Sequence, residues 1–151
     1  MSSAIPVSFI KIQIFAHATE DPNKVMCAAR SICPIAYCNE ILFTEDNLRG
    51  YYGNPITFFK TGIRKKPIIK AFIETIASKL SEESKNALLA SVERHVDENG
   101  NLYLRLDKQA ALRGRLELGY EDPIHIQLRL NLRQKSVEKV IELCRSIGIL
   151  P

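Results

Sequence analysis

The residues with the clearest chemical potential are five cations between positions 60 and 70. No acidic residue interrupts this run, which consists of Lys60, Arg64, Lys65, Lys66 and Lys70. A local positive charge of this kind attracts polyanions, above all the phosphates of a nucleic acid. The alternative interpretation is a solvated surface loop that binds nothing.

The position of this run favours a bound anion. Arg64, Lys65 and Lys66 come directly before Pro67, which opens a predicted helix. Exposed cations at a helix N-terminus oppose the helix dipole and cost about 0.3–1 kcal/mol each. A bound phosphate would reverse that cost, because helix N-termini and basic side chains both attract anions. We therefore predict that Lys60, Arg64, Lys65 and Lys66 hold phosphates.

A second set of polar residues alternates with aliphatic ones along three predicted strands. A period of two sends the aliphatic set to one face of a sheet and the polar set to the other. The polar face would offer cations for phosphates, amides for base edges and rings for stacking, although a solvated face or one covered by a second subunit would look alike. Its members are Lys11, Gln13, Phe15, His17, Tyr103, Arg105, His125, Gln127, Arg129, Asn131 and Arg133.

A third cationic group surrounds a short predicted helix for which Asp107 is the N-cap. This group is Arg105, Lys108, Arg113 and Arg115. We predict that it extends the phosphate-binding surface.

Residues for catalysis are hard to assemble. The sequence has no Gly-x-Ser-x-Gly, no P-loop and no dinucleotide fingerprint. The acids are scattered or have turn and cap roles, as with Asp122 before Pro123, and the three histidines are isolated. A metal-dependent nuclease needs convergent carboxylates, and Asp107 with Lys108 is only a fragment of one. We predict no enzymatic activity, no metal and no cofactor.

The cysteines at 27, 33, 38 and 144 match no zinc template, since zinc sites need close pairs of Cys or His. We predict buried free thiols at Cys27, Cys33, Cys38 and Cys144. A disulfide would be expected mainly in a hyperthermophile, where intracellular bridges occur.

Length and composition set the class of protein. The chain has 151 residues, of which 46% are hydrophobic, and a net charge of +4. These values predict one folded domain over residues 1–151 and argue against disorder. No apolar run is long enough to cross a membrane, and Met1–Pro6 lacks the charged start and long apolar stretch of a signal peptide, so we predict a cytoplasmic protein.

The predicted elements alternate between strands and helices. Aliphatic periodicity indicates strands over 10–18, 56–60, 102–106 and 124–132, with an extended segment at 35–45 and turns at 49–55 and 97–100. Helices are predicted over 22–33, 67–80 and 136–147, after Ser81 and, briefly, after Asp107. Strands with one polar face belong to an α+β fold, in which an open antiparallel or mixed sheet has helices packed on one face.

Three stretches together resemble an archaeal family described as a predicted exosome subunit or RNA-binding protein. They are Ile14-Phe15-Ala16-His17-Ala18-Thr19-Glu20-Asp21, then Gly50-Tyr51-Tyr52-Gly53-Asn54-Pro55-Ile56, and then the segment from Val96-Asp97-Glu98-Asn99-Gly100 through Leu106-Asp107-Lys108-Gln109-Ala110-Ala111 to Asp122-Pro123-Ile124. The resemblance implies a fold similar to the ribosomal protein that binds 5S ribosomal RNA. It also implies a link to RNA processing and to exosome components. Tyr51 stands where the family usually has His, which leaves a ring for stacking but no imidazole.

These features together predict a non-enzymatic RNA-binding protein of archaeal RNA processing. Beyond the basic run and the group around Asp107, Arg129 and Arg133 are predicted to contact RNA, and Tyr51 and Tyr103 to stack on bases. The alternative is an adaptor or homodimerising module that docks a protein on its open sheet face or an edge strand.

Overall fold

All five strands of the sheet run antiparallel to their neighbours. The structure, a computed structural model, describes residues 6–151, so the first five residues of the segment used for the signal-peptide prediction lie outside it. The strands are β1 (Val7–Ala16), β2 (Thr44–Arg49), β3 (Pro55–Ile63), β4 (Asn101–Leu106) and β5 (Ile124–Leu130), in the spatial order β2-β3-β1-β5-β4. The predicted α+β class and open sheet are confirmed, and the sheet is antiparallel rather than mixed.

The helices pack on the aliphatic face of this sheet. They are α1 (Pro22–Ser31), α2 (Lys66–Lys79), α3 (Glu82–Ala90), α4 (Lys108–Leu112) and α5 (Val137–Ser146). Both α1 and α2 contact β1, and α4 contacts α1. Ile10, Ile12 and Ile14 of β1 are completely buried beneath them, together with Phe72 of α2. Each such side chain contributes about 1.5–3 kcal/mol by leaving water, so the alternating pattern fixes which face of the sheet is covered.

Short polar side chains define where the helices begin. Asp21, Ser81, Asp107 and Ser136 each accept a hydrogen bond from a backbone N–H in the first turn of the helix that follows. These bonds satisfy donors that a helix leaves unpaired at its start. The caps predicted at Ser81, Asp107 and Ser136 are confirmed.

The prediction of an extended segment over 35–45 is wrong for most of its length. Residues Ile35–Tyr37 form a 3₁₀ turn, and Ile41 returns to the core before β2 begins at Thr44. Backbone hydrogen bonds from Tyr37 to the Pro34 carbonyl and from Ile41 to the Tyr37 carbonyl hold this compact arrangement. Local bonds of this kind leave no trace in a strand-like residue pattern.

The basic run is not a loop. β3 continues to Ile63 and α2 begins at Lys66, so Lys60 lies within a strand and only Arg64 and Lys65 connect the two elements. At the other end of the sheet, β5 stops at Leu130, which leaves Arg133 beyond the strand.

The predicted turn at 97–100 is present, with Gly100 at φ 83°, and a 3₁₀ turn (Val92–Arg94) precedes it. A single antiparallel bridge joins Val96 to Leu102.

The hairpin of β2 and β3 lies at one edge of the sheet. Every residue of β2 is exposed, and the tip of the hairpin is formed by residues 50–54. Elsewhere, no helix in residues 6–151 is long and apolar enough to span a bilayer.

Candidate nucleic-acid interface

The face of the sheet opposite the helices, called the open face from here on, carries the alternating polar residues. Cross-strand pairing arranges them in rows, because directly opposed residues of antiparallel strands share a face. One row runs Thr44–Lys60–Gln13–His125–Arg105, and the next runs Gly62–Lys11–Gln127–Tyr103. A third row joins Phe9, Arg129 and Asn101. His17, Asn131 and Arg133, which were predicted on this face, lie beyond the ends of β1 and β5.

The open face is rich in positive charge and poor in negative charge. No residue of β1, β3, β4 or β5 is acidic, and Asp46 on β2 is opposite Phe58 at the sheet's edge. Within residues 6–151, the cations Lys11, Lys60, Arg105 and Arg129 form no ion pair. A surface of this kind keeps its positive potential free for an anionic partner.

Aromatic rings lie between these cations. Phe15 and Phe58 stack with their centroids 4.6 Å apart, and the Lys60 ammonium lies 6.0 Å from the Phe58 centroid. The Arg64 guanidinium lies 4.4 Å above the Phe9 ring, so this residue reaches the open face from the end of β3. Rings and guanidinium planes are the groups on which unpaired bases stack.

The rest of the basic run lies at the start of α2. Lys65 is the N-cap residue but makes no capping hydrogen bond, and Lys66 is the first helical residue. Both are exposed, and the first turn of the helix contains no acid. Lys65 and Lys66 therefore do lie where the helix dipole disfavours cations. The basic run is divided, with Lys60 and Arg64 on the open face and Lys65 and Lys66 at the start of α2.

Two polar residues at the β4–β5 edge of the open face have altered pKa values. Burial and the nearby Arg105 guanidinium lower the pKa of His125, and Asp122 acts in the opposite direction. The Tyr103 hydroxyl donates to Asp97 Oδ2 at 2.8 Å, and this hydrogen bond and burial raise the phenol pKa. The Tyr103 ring is half-buried beside Gln127.

The remaining predicted arginines are separate from this surface. Arg113 ends α4, which belongs to the helical layer, and Arg115 follows it and pairs with Glu117 at 3.8 Å. Arg133 is exposed in the segment between β5 and α5. The structure therefore does not bring the group around Asp107 together with the open face, except for Arg105.

Lys108 does not present a free cation, in contrast to its predicted role. It is only 7% exposed, and its ammonium is 2.6 Å from the Phe15 carbonyl, 2.6 Å from Asp122 Oδ2 and 3.3 Å from Glu20 Oε1. A buried ammonium requires such acceptors, since desolvating an unpaired charge is very costly. Lys108 is therefore a structural residue.

The acceptors of Lys108 form a cluster that sequence reasoning missed. His17 Nε2 lies 3.0 Å from Asp122 Oδ1, and the His17 backbone N–H donates to Glu20. One ligand atom each from His17, Glu20 and Asp122 lies within 4.8 Å of the others, which is a spacing that suits a cation, and the Lys108 ammonium supplies a positive charge there. We call these four residues the Lys108 corner. The sequence signal for the Lys108 corner is that all four of its residues come from two of the three stretches that resemble the archaeal family.

The hairpin tip carries the most exposed aromatic residues. Tyr51 and Tyr52 are 94% and 85% exposed, with their rings in an edge-to-face arrangement 5.1 Å apart. Gly53 has a φ of 78°, which favours glycine at this turn. The two rings border a cleft shared with His17.

The four cysteines are free thiols, but they are not all buried. Burial raises the pKa of Cys33 and of Cys144 to about 12, whereas Cys27 is exposed and Cys38 half-buried. The two buried thiols are thus unreactive core residues.

Comparisons with known proteins agree on one family. A family model described as RNA binding matches residues 9–130. The chain is 33% identical over 147 residues to RNA-binding protein PAB1135 of Pyrococcus abyssi, covering 96% of each sequence. The crystal structure of AF2318 from Archaeglobus fulgidus superposes with a TM-score of 0.79 at 31% identity, over 93% of this chain and 99% of that one. Mth689 of Methanothermobacter thermautotrophicus, a DUF54 protein, gives 0.75 at 31% identity, over 94% and 98%.

Proposed function

The chain belongs to the RNA-binding family whose model spans residues 9–130, and we propose that it binds RNA through the open face of its sheet. The observation that carries this proposal is the composition of that face. Four adjacent strands contribute unpaired cations and rings but no carboxylate. Phosphates would take the cations and bases would take the rings and amides, which is how sheet surfaces bind single-stranded RNA.

The proposed phosphate contacts follow the geometry. Lys60 and Arg64 lie on the open face beside rings, and Arg105 and Arg129 extend it to the far strands. Lys65 and Lys66 would continue the phosphate path around the sheet edge to the start of α2, and Tyr51 at the hairpin tip and Tyr103 on β4 would add stacking surfaces. Arg113, Arg115 and Arg133 would contribute long-range attraction rather than contacts. Lys108 is left out because its charge is already neutralised.

We also propose that the protein is non-enzymatic and acts in archaeal RNA processing with exosome components, in the cytoplasm. Support comes from the three stretches that resemble the archaeal exosome-linked family, and from the archaeal origin of the relatives. The clustered carboxylates Glu20 and Asp122 are engaged by Lys108, which argues against a nuclease centre there.

The proposal is tested by salt-dependent RNA binding. Replacing Arg64, Lys65 and Lys66 with Glu should weaken affinity for a single-stranded RNA and reduce the slope of log K against log salt by about 0.7 for each phosphate that the variant no longer binds. Fluorescence anisotropy with a labelled ten-nucleotide RNA measures both quantities. The matched control replaces Lys24, Lys79 and Lys139, on exposed helix surfaces, with Glu; an equal weakening there would contradict a local site.

A second function is favoured by one observation, the free edge of β2. β2 is the outermost strand and pairs with β3 alone among the described strands. An unpaired edge can accept a strand from another chain, which suits an adaptor or a homodimer. Size-exclusion chromatography with and without RNase distinguishes the two functions, because an assembly that survives RNA digestion is held by protein.

A further inference from the structure

A groove on the open face crosses β3 at Gly62. It is lined by Phe9 and Lys11 of β1, by Leu42, which precedes β2, by Thr44 of β2, and by Lys60, Thr61 and Gly62 of β3. Its volume is about 370 Å³, within the roughly 300–1,000 Å³ range of small-ligand clefts. The groove lies between the Phe9 ring of β1 and the Leu42 side chain at the edge of the sheet.

Gly62 is needed here for space and not for its backbone conformation. Its φ is not positive, so its dihedral angles suit any residue. A Cβ at this position would lie 3.0 Å from the Phe9 ring. Glycine inside a strand costs roughly 0.5–1 kcal/mol relative to alanine and often marks a close approach by a ligand or another group. The missing side chain admits the Phe9 ring and keeps the groove beside it open.

The opposite wall is an exposed leucine that is held in place. Leu42 is 71% exposed, yet its carbonyl accepts a 2.7 Å hydrogen bond from Thr61 Oγ1 on β3. Thr44, the first residue of β2, donates to the Lys60 carbonyl at 3.3 Å. These bonds fix the apolar wall relative to the Phe9 ring.

The charges around the groove select what it takes. Lys11 and Lys60 line it, and Arg64 lies over the Phe9 ring. Glu40 lines a neighbouring cleft and not this one. The groove is therefore an apolar slot with cations on its rim and no carboxylate in its lining. It complements a flat apolar group that has a negative charge on each side. A nucleotide within a nucleic-acid chain has this form, because its base is flanked by two phosphates.

We propose that this groove holds one unpaired nucleobase, with its flanking phosphates on Lys11, Lys60 and Arg64. The inference rests on the proposed RNA binding and adds its substrate class: a single strand with an accessible base. In a duplex both faces of a base are covered by its neighbours, so a duplex would contact only the cations.

The test compares two RNA-like probes of equal charge. One is a labelled ten-nucleotide single-stranded RNA, and the other is a ten-residue abasic ribose phosphate. The wild-type protein should prefer the base-bearing strand. Gly62→Val fills the groove and Leu42→Ala removes its wall, and each should reduce that preference by at least about five-fold, since stacking of one base is worth that much or more. Binding of the abasic strand should stay within about two-fold.

The variants separate this inference from the proposed function. If both variants keep the wild-type preference, the groove holds no base, even though the open face binds RNA. If the wild-type protein binds neither probe at about 50 mM salt, where phosphate contacts are strong, the proposed function fails, and the groove proposal with it. Leu42→Ala guards against misfolding, because the side chain is exposed and its backbone bond to Thr61 is retained. Leu112→Ala, which truncates another exposed leucine, on α4 in the helical layer, is the matched control and should keep the wild-type preference.

Discussion

Two groups of cations in this fold have opposite surroundings. In the Lys108 corner, an ammonium is buried beneath the sheet's end with two carboxylates and a carbonyl around it. On the open face, lysines and arginines of several strands lie among rings with no carboxylate paired to them. A neutralised cation stabilises the fold, whereas an unneutralised one is available to a partner. The same residue types therefore serve structure in one region and are proposed to serve binding in the other.

The largest effect should come from removing the buried cation. Lys108→Met keeps the aliphatic stem but leaves Glu20, Asp122 and the Phe15 carbonyl without their ammonium. We expect a decrease of about 2–3 kcal/mol in the free energy of unfolding, below the range for fully buried pairs because both carboxylates are partly exposed. Urea denaturation measures it. Lys60→Met, on the open face, should change stability by no more than about 0.5 kcal/mol.

For RNA affinity we expect the opposite order, with the larger effect from Lys60→Met and the smaller from Lys108→Met. Lys108→Met should bind RNA as the wild-type protein does at temperatures where it is folded, because its charge is not presented. If a folded Lys108→Met protein bound RNA much more weakly, Lys108 would contribute to binding, and the distinction between a structural and a binding group of cations would be wrong.

The far strands of the open face should have an intermediate effect. Arg105→Ala with Arg129→Ala should lower affinity for single-stranded RNA by about ten-fold at low salt and reduce the salt slope by about 1.4, which corresponds to two phosphates. Anisotropy titrations at several salt concentrations give both values. Arg113→Ala with Arg115→Ala, in the helical layer, is the matched pair, and it should leave the slope nearly unchanged.

The smallest effect should be a dependence on pH. Burial and Arg105 lower the pKa of His125 in the folded protein, so the unfolded chain takes up the proton more readily and folding stability from this residue is lost as pH falls below about 6.5. A phosphate nearby would favour the imidazolium. When the pH falls from 7.5 to 5.5, RNA affinity should therefore rise about two- to three-fold more in the wild-type protein than in His125→Asn. At position 125, the imidazole can gain a charge over that range and the asparagine amide cannot. An identical rise in both would remove His125 from the surface.

The sequence predicted the open face well because strand alternation is a local signal. Lys11, Gln13 and Phe15 follow from a period of two, and register then brings them beside His125 and Lys60. The predicted strand over 56–60 is three residues short at its end, because the run of cations that follows is typical of a surface loop. In the structure, Gly62 is a strand residue that makes room for Phe9.

The Lys108 corner could not be predicted in the same way. Its members come from the segment between β1 and α1, the start of α4 and the turn before β5, and only tertiary folding brings Lys108 to Glu20 and Asp122. Asp122 does have the turn role predicted for it, with a φ of 47°, but its carboxylate has a second role that no local pattern reveals. The buried Lys108 and the lysines of the open face differ in solvent exposure. Exposure depends on packing between segments that are distant in the sequence, so local patterns do not predict it.

The most direct test of the central claim is a nuclear magnetic resonance titration of the isotope-labelled protein with the ten-nucleotide single-stranded RNA. Backbone amides of β1, β3, β4 and β5 should shift, with the largest changes around Lys11, Lys60 and Gln127, while those of α1 and α4 stay in place. Shifts concentrated in α1 and α4, with the strands unaffected, would contradict the account.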